Sequence, residues 1–348
     1  ELIQTITYQS AILDLHFHRA KNVFAVASST GCISIFCLVK RQDIPVIEHI
    51  ITHQVVPEDI LILSLIWKPL NDSHDSEKTS TLFFTTSCGS VFAITLSVEF
   101  KSFKFLNNNA PLYDHDDNAW TCAVSRNSLF SGGDDSKLAR VELTEYLQKT
   151  SVETPSSCIP KSNTEKHQDI QVDFKVHDAG VTAIIVLPTP YLKNDDSFLM
   201  TGCYDDHVRV LAIMDNGTSK SSRVQKLSKY FLGGGVWRLK LIYSNIASSN
   251  IEQNNWEYIV LASCMHAGAR ILKVTGCLTG PWNIEVLAEM RAHQSMCYSS
   301  DFQPLQLLPG SGEILPRDLI IVSTSFYDRL LLVWKWSSPA ASLPVNRR

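Results

Sequence analysis

The chain has 348 residues, 45% of them hydrophobic, with a formal net charge of -4 and a pI near 6.3. That length implies several domains or a repeat array, and the near-neutral balance excludes the broad basic field that would hold nucleic acid or an anionic membrane. Nine cysteines without CxxC pairs read as buried thiols of a reducing compartment; no run of about eighteen apolar residues occurs, and the start Glu1-Leu2-Ile3-Gln4 is not a signal peptide, so the expected location is the cytoplasm.

In chain order, short strands are expected at Ile12–Phe17, Ile62–Trp67, Ala119–Val124, Val181–Leu187, Val236–Ile242 and Tyr298–Phe302. Each precedes a copy of one strand-turn-strand pattern, and such self-similarity marks a repeat architecture. The clearest copies are Asn127–Glu142 (NSLFSGGDDSKLARVE), Ser197–Ala212 (SFLMTGCYDDHVRVLA) and Glu257–Lys273 (EYIVLASCMHAGARILK), with looser ones at Asn22–Leu38, Thr81–Leu96 and Asp318–Trp336. An apolar strand, a small-residue step, an acidic turn and a second strand recur, and His266 stands where two other copies carry Asp135 and Asp205. A further strand follows some copies, as at Gln171–Val176 and Asn283–Arg291.

Four short strands in each stretch of roughly forty to sixty residues, with no helical periodicity between them, predict an all-β fold, a WD-repeat β-propeller. Six blades are visible, and seven are expected, because a ring closes most easily at seven; Glu1–Tyr8 could supply an outer strand of the closing blade. The chain begins on Glu1 rather than Met, which leaves room for an N-terminal piece. Residues 1–348 then form a single propeller domain, with the polar, aperiodic stretches Asn71–Ser80 and Gln148–Gln168 as surface insertions. A monomer is expected, since such a fold leaves few sheet edges to pair.

Aligned opening strands place His115, His177 and His293 five residues before Trp120, Thr182 and Tyr298, and Trp237 holds the same position where Leu232 replaces the His. These side chains should ring the mouth of the central channel. The ordinary role of such a His is a structural hydrogen bond to the turn Asp of its own blade, which suits His177 with Asp205. His293 is harder to absorb: its blade shows no turn Asp in register, and its neighbourhood AHQSMCYSSDF adds Ser295, Tyr298 and Asp301. His266 either caps its turn or titrates near the channel. Gly233-Gly234-Gly235 ahead of Trp237 is either a flexible loop or a place of close backbone approach. No GxSxG elbow, P-loop, GxGxxG or HExxH is present, so these patterns alone describe a binding scaffold.

The strings Ser131–Ser136 (SGGDDS), His177–Val181 (HDAGV), Thr201–Asp206 (TGCYDD), Gly233–Arg238 (GGGVWR), Cys264–Gly268 (CMHAG), His293–Asp301 (HQSMCYSSD) and Ser325–Asp328 (SFYD) occur in this order. Together they resemble the diphthine methyl ester hydrolase family, WD-repeat proteins of diphthamide biosynthesis. The resemblance is strong over residues 119–336 and weak in the first two blades; Ser299 and Phe302 stand where the family pattern has Gly and Trp. It implies removal of one methyl ester from an over-methylated His side chain of elongation factor 2, the protein substrate. Such a substrate bears a trimethylammonium group, for which Trp120, Trp237 and Tyr298 with Asp134, Asp135 and His177 are the expected binding residues. His266 or His293 is the expected general base, acting on water or on Ser295 as nucleophile; a Cys264 thiolate is the lesser alternative, since an apolar strand end raises a thiol pKa. No metal or other cofactor is required. The competing expectation is a non-catalytic scaffold that docks elongation factor 2 or a pathway enzyme.

Overall fold

Runs such as Val23–Ser28 (VFAVAS) and Ser197–Cys203 (SFLMTGC) are branched, aromatic or small throughout and are buried at every position. A strand covered on both faces needs such a continuous pattern. In the computed structural model these runs are the second strands of antiparallel sheets, and the strands farther along each sheet become more exposed and more polar. The structure describes residues 4–18, 21–42, 44–69, 79–144, 146, 170–189, 196–215, 222–246, 256–304 and 318–338.

The first sheet is β1 (Ile12–Phe17), β2 (Val23–Ser28), β3 (Cys32–Arg41) and β4 (Ile44–Gln54), paired in that order. The second is β5 (Ile62–Trp67), β6 (Thr79–Thr86), β7 (Ser90–Ser97) and β8 (Phe103–Phe105), with β9 (Tyr113–Asp114) also pairing with β7. The third is β10 (Ala119–Ser125), β11 (Ser128–Gly133), β12 (Leu138–Glu142) and β13 (Ile170–Phe174); the fourth is β14 (Val181–Leu187), β15 (Ser197–Cys203), β16 (His207–Asp215) and β17 (Ser222–Phe231). The fifth is β18 (Arg238–Ile246), β19 (Trp256–Ser263), β20 (Ala269–Gly276) and β21 (Asn283–Met290), and the sixth has three strands, β22 (Cys297–Pro304), β23 (Asp318–Ser325) and β24 (Leu331–Ser337). Sheets of consecutive antiparallel strands, one per predicted copy, are the blades of a β-propeller. The fold is therefore all-β and of that class, with six blades among the described residues.

Two compact units are distinguished, Glu1–Ile184 with Met214–Arg223, and Ile185–Ile213 with Val224–Arg348. The first has a core in which Ile33, Ile35, Ile62, Leu82, Phe84 and Ile94 pack together, and a second cluster around Phe83, Val91, Leu129 and Val141. In the other unit Ile259, Leu261, Ile271, Leu319, Ile321 and Trp336 join the fifth and sixth sheets. Each such side chain contributes about 1.5–3 kcal/mol on burial. Among the described residues no helix is long and apolar enough to cross a membrane.

The segment up to Tyr8 departs from the expectation of an outer strand. Gln4 exchanges two hydrogen bonds with the backbone of Ile47 on β4, donating from Nε2 at 2.9 Å and accepting at 2.6 Å. The Tyr8 hydroxyl meets Ser34 Oγ on β3 at 2.5 Å. Side-chain bonds thus tie residues 4–8 to the first sheet, while residues 1–3 lie outside the described residues. Of the stretches expected as insertions, Thr79 and Ser80 open β6; the rest of Asn71–Ser80 and all of Gln148–Gln168 lie outside the described residues.

Three hairpin turns use one device. Asp135, Asp205 and Asp328 each accept a bond from the N–H two residues on, at Lys137 (3.1 Å), His207 (3.1 Å) and Leu330 (3.3 Å). The residue after each, Ser136, Asp206 and Arg329, is left-handed with φ of 63°, 63° and 55°. This is the Asx turn, in which the carboxylate holds a tight reversal. Asp328 is thus a turn Asp for the blade of His293, which the sequence alignment missed. Asp328 stands three residues past the end of β23, whereas Asp135 stands two past the end of β11.

Candidate functional site

His115 and His293 are held in the manner of structural histidines. His115 is buried, with Nδ1 3.0 Å from Asp135 and Nε2 2.9 Å from Ser131 Oγ. His293 is buried, with Nδ1 3.0 Å from Ser325 Oγ and Nε2 2.8 Å from Ser323 Oγ, while Ser325 donates to Asp328. Asp328 also accepts from the Gln294 N–H at 2.9 Å. The turn Asp that seemed absent from the sixth blade therefore acts on His293 through Ser325, a relay that strand alignment does not reveal. His177 is buried as well.

Burial pushes the His115 imidazole below its ordinary value of 6.5, more than the neighbouring Asp135 raises it. His293 is lowered for the same first reason, with Asp328 opposing. A folded pKa below the unfolded one means that the unfolded chain binds protons first, so stability is present above about pH 6.5 and is lost as pH falls through the folded values. Urea unfolding at pH 7.5, 6.5 and 5.5 checks the sign. Stability is expected to fall between the last two, with a slope of up to about 1.4 kcal/mol per pH unit for each such His; a flat or rising profile there contradicts the neutral, buried assignment.

Of the residues expected to bind substrate, Trp120, Asp134 and Asp135 are tied to one another's surroundings. The Trp120 indole N–H donates to Asp134 Oδ1 at 2.6 Å, and Asn118 Nδ2 donates to Asp134 Oδ2 at 3.1 Å. Asp135, 4% exposed in its side chain, holds His115 and its own turn. These carboxylates serve their blade first.

The unit that contains the fifth and sixth sheets brings together what the sequence singled out separately. A Cβ on Gly234 would overlap the Cys264 carbonyl oxygen and stand 2.8 Å from Ala267 Cβ; one on Gly235 would stand 2.8 Å from Met265 Sδ. Of the two readings of the GGG run, close approach holds at Gly234 and Gly235, which pack against the CMHAG turn. That turn is closed by backbone bonds, Cys264 N to Gly268 O at 2.7 Å and Ala267 N to Cys264 O at 2.8 Å. Met265, left-handed at φ 43°, bridges to Cys297 of β22, whose N–H donates to Met265 O at 2.9 Å.

His266 projects from the tip of this turn. It is exposed and makes no hydrogen bond among the described residues, and the turn is closed by its backbone. Cys264 beneath it is fully buried, and burial pushes its thiol up to about 12, which removes the thiolate from neutral pH. Ser295 Oγ is half-buried and accepts from Tyr327 N at 3.3 Å; no imidazole among the described residues bonds to it. His266, His293 and Ser295 are therefore not joined into a triad.

Beside this turn runs a row of aromatic rings that sequence reasoning saw only in part. Tyr204 lies 5.7 Å from Trp237, Trp237 5.3 Å from Tyr298, Tyr298 6.2 Å from Phe326, and Phe326 5.2 Å from Tyr327, centroid to centroid. Phe326 and Tyr327 are each 69% exposed. The signal was present in SFYD, two large aromatics in a turn that usually holds polar residues, but the string was weighed only as part of the family resemblance. Burial first, and then the Tyr327 hydroxyl, raise the Tyr298 phenol. The guanidinium of Arg238 lies 5.3 Å from the Trp237 ring centroid. Among the described residues no group of three His, Cys, Asp or Glu is arranged to hold a metal ion.

No family model matches the chain. It is similar to curated proteins named diphthine methyltransferase. The one from Saccharomyces cerevisiae is 25% identical, over 93% of this chain and 83% of the relative. The human one is 24% identical, over 86% of this chain and 58% of the relative, and the mouse one is 24% identical, over 84% and 53%. The chain thus spans little more than half the length of the two mammalian relatives. Among solved structures it resembles a chain of the mitotic checkpoint complex, with TM-score 0.57, 14% identity and coverage of 96% of this chain and 77% of that one. It also resembles Sqt1 of Chaetomium thermophilum bound to the N-terminus of the ribosomal protein L10, with TM-score 0.56, 12% identity and coverage of 96% and 76%. At these identities the structural likeness concerns the fold.

Proposed function

We propose that this chain acts in diphthamide biosynthesis as a carboxyl methyl ester hydrolase, removing the methyl ester from methylated diphthine on elongation factor 2. The observation that carries the reading is the exposed His266 on the CMHAG turn, a turn braced by Gly234 and Gly235 and adjoining the aromatic row. The relatives named for diphthine support the substrate class. In this reading His266 takes a proton from water as the water oxygen bonds to the ester carbonyl carbon. The tetrahedral oxyanion then expels the methoxy group, which leaves as methanol with the proton from the imidazolium. The carboxylic acid product ionises, and no metal or other cofactor enters.

The relatives' name denotes methyl transfer, whereas hydrolysis passes the acyl group to water. The two differ in products. Methylated elongation factor 2 incubated with the purified chain in buffer alone is expected to lose the mass of one methylene, with release of one equivalent of methanol. A mass change that requires an added methyl acceptor refutes hydrolysis. Binding of the factor with no mass change supports instead the non-catalytic scaffold.

A further inference from the structure

We infer that Arg270 is the positioning residue of His266: it takes over from the turn aspartate that the fifth sheet lacks and fixes the CMHAG turn from the strand beside it. The strand registers make the comparison. Gly202 pairs with Val208 in the fourth sheet and Ser263 with Ala269 in the fifth, so each hairpin encloses five residues, and Asp205 and His266 are both the third of them. Arg209 and Arg270 follow at the same step, opposite Thr201 and Ala262. Both are buried, at 0% and 3% exposure. In the third sheet Gly132 pairs with Leu138 and that step is Ala139, so the repeat itself does not demand an arginine there.

In the fourth sheet Asp205 neutralises the Arg209 guanidinium. The CMHAG turn contains no carboxylate, and the Arg270 guanidinium bonds to the turn's backbone instead. Its Nη1 donates to the Ala267 carbonyl oxygen at 2.6 Å, and its Nε lies 3.7 Å from Oε1 of Glu289, its pairing partner on β21. The reversal changes accordingly, with left-handed residues at Met265 and Gly268 where the fourth sheet has Asp206. A buried guanidinium keeps its charge and needs acceptors for its N–H groups, so the bond to Ala267 is costly to break. The consequence falls on His266. The carbonyl of Met265, before it, accepts from the Cys297 N–H at 2.9 Å, and the carbonyl of Ala267, after it, accepts from Arg270. The exposed imidazole is thus carried between two backbone groups, each fixed from a different strand. The positioning role rests on the proposed esterase reading of His266; the anchoring of the turn does not.

The test is Arg270→Gln in the full chain, read by hydrogen exchange across residues 264–268 and by the kinetics of methanol release from methylated elongation factor 2. Glutamine removes the charge-assisted bond. Exchange at the Ala267 and Gly268 amides, whose N–H groups close the turn, is expected to quicken at least about tenfold, the equivalent of about 1.4 kcal/mol. A small displacement of a catalytic group costs up to about 10²-fold, so kcat is expected to fall about 10- to 100-fold with KM within about twofold. An arginine that only supports the fold would lower thermal unfolding and leave kcat per folded molecule unchanged. Should the glutamine variant not fold, Arg270→Lys, which keeps the charge but loses the planar fork, is read on the same two scales, with smaller losses expected on both. Unchanged exchange in the turn overturns the anchor, and faster exchange with parental kcat overturns the positioning role. If the parent chain releases no methanol, the esterase reading fails and the positioning role falls with it, while exchange alone decides whether Arg270 anchors the turn.

Discussion

Alanine in place of His266 is expected to lower methanol release from methylated elongation factor 2 by about 10²–10⁴-fold, the usual worth of a positioned general base, with thermal unfolding unchanged. The imidazole is exposed and bonds to nothing among the described residues, and the Cys264–Gly268 turn is closed by its own backbone. Its removal therefore leaves no buried group stranded. His293→Ala should behave in the opposite way. Its two ring nitrogens hold Ser325 and Ser323 inside the sixth blade, so truncation removes two buried hydrogen bonds, at about 0.5–1.5 kcal/mol each. The two substitutions thus separate chemistry from architecture. A His266→Ala enzyme with parental kcat removes His266 from the mechanism, whatever happens to His293.

The strands that were easiest to find are those whose physics is local. Ile12–Phe17, Ile62–Trp67 and Val181–Leu187 were expected at the bounds the structure gives them, because each is a short apolar run bounded by turn residues. Trp237 was expected inside its strand, yet β18 begins at Arg238. The Trp237 N–H instead donates across to Ser263 O at 2.8 Å, while Gly234 and Gly235 lie against a turn roughly thirty residues away in the chain, a contact no local pattern reports. The aligned His positions were legible as a set, but their partners were not: Asp135 reaches His115 directly, while Asp328 reaches His293 only through Ser325. Similarly, SFYD and HQSMCY each supply part of one aromatic row, and only the antiparallel pairing of Cys297 with Ser325 puts them side by side. The repeat was readable from residues; the candidate site lies where the turns of different blades meet within one unit.

Asp205→Ala is expected to be the most destabilising of the turn substitutions, at about 3–5 kcal/mol in urea unfolding, because it strands a buried charge. Its carboxylate accepts from Arg209 Nη1 at 3.0 Å and from Nη2, and the Arg209 side chain is fully buried. A guanidinium cannot shed its proton to escape that environment. The equivalent Asp135→Ala should cost less. Its buried partner His115 is pushed by burial toward the neutral ring, so what is lost there is a hydrogen bond and the turn bond to Lys137, not the neutralisation of a fixed charge. Replacing Asp205 by Leu together with Arg209 by Met removes both charges and should recover most of the loss, since a buried pair exchanged for apolar side chains of similar volume is often neutral. If Asp205→Ala and Asp135→Ala cost the same, or the double replacement is worse than Asp205→Ala, the ion pair is not what holds the fourth blade's turn. If the order holds, two copies of one repeat, SGGDD and TGCYDD, place an Asp at the same turn for different electrostatic reasons: one orients a neutral imidazole and the other neutralises a buried cation.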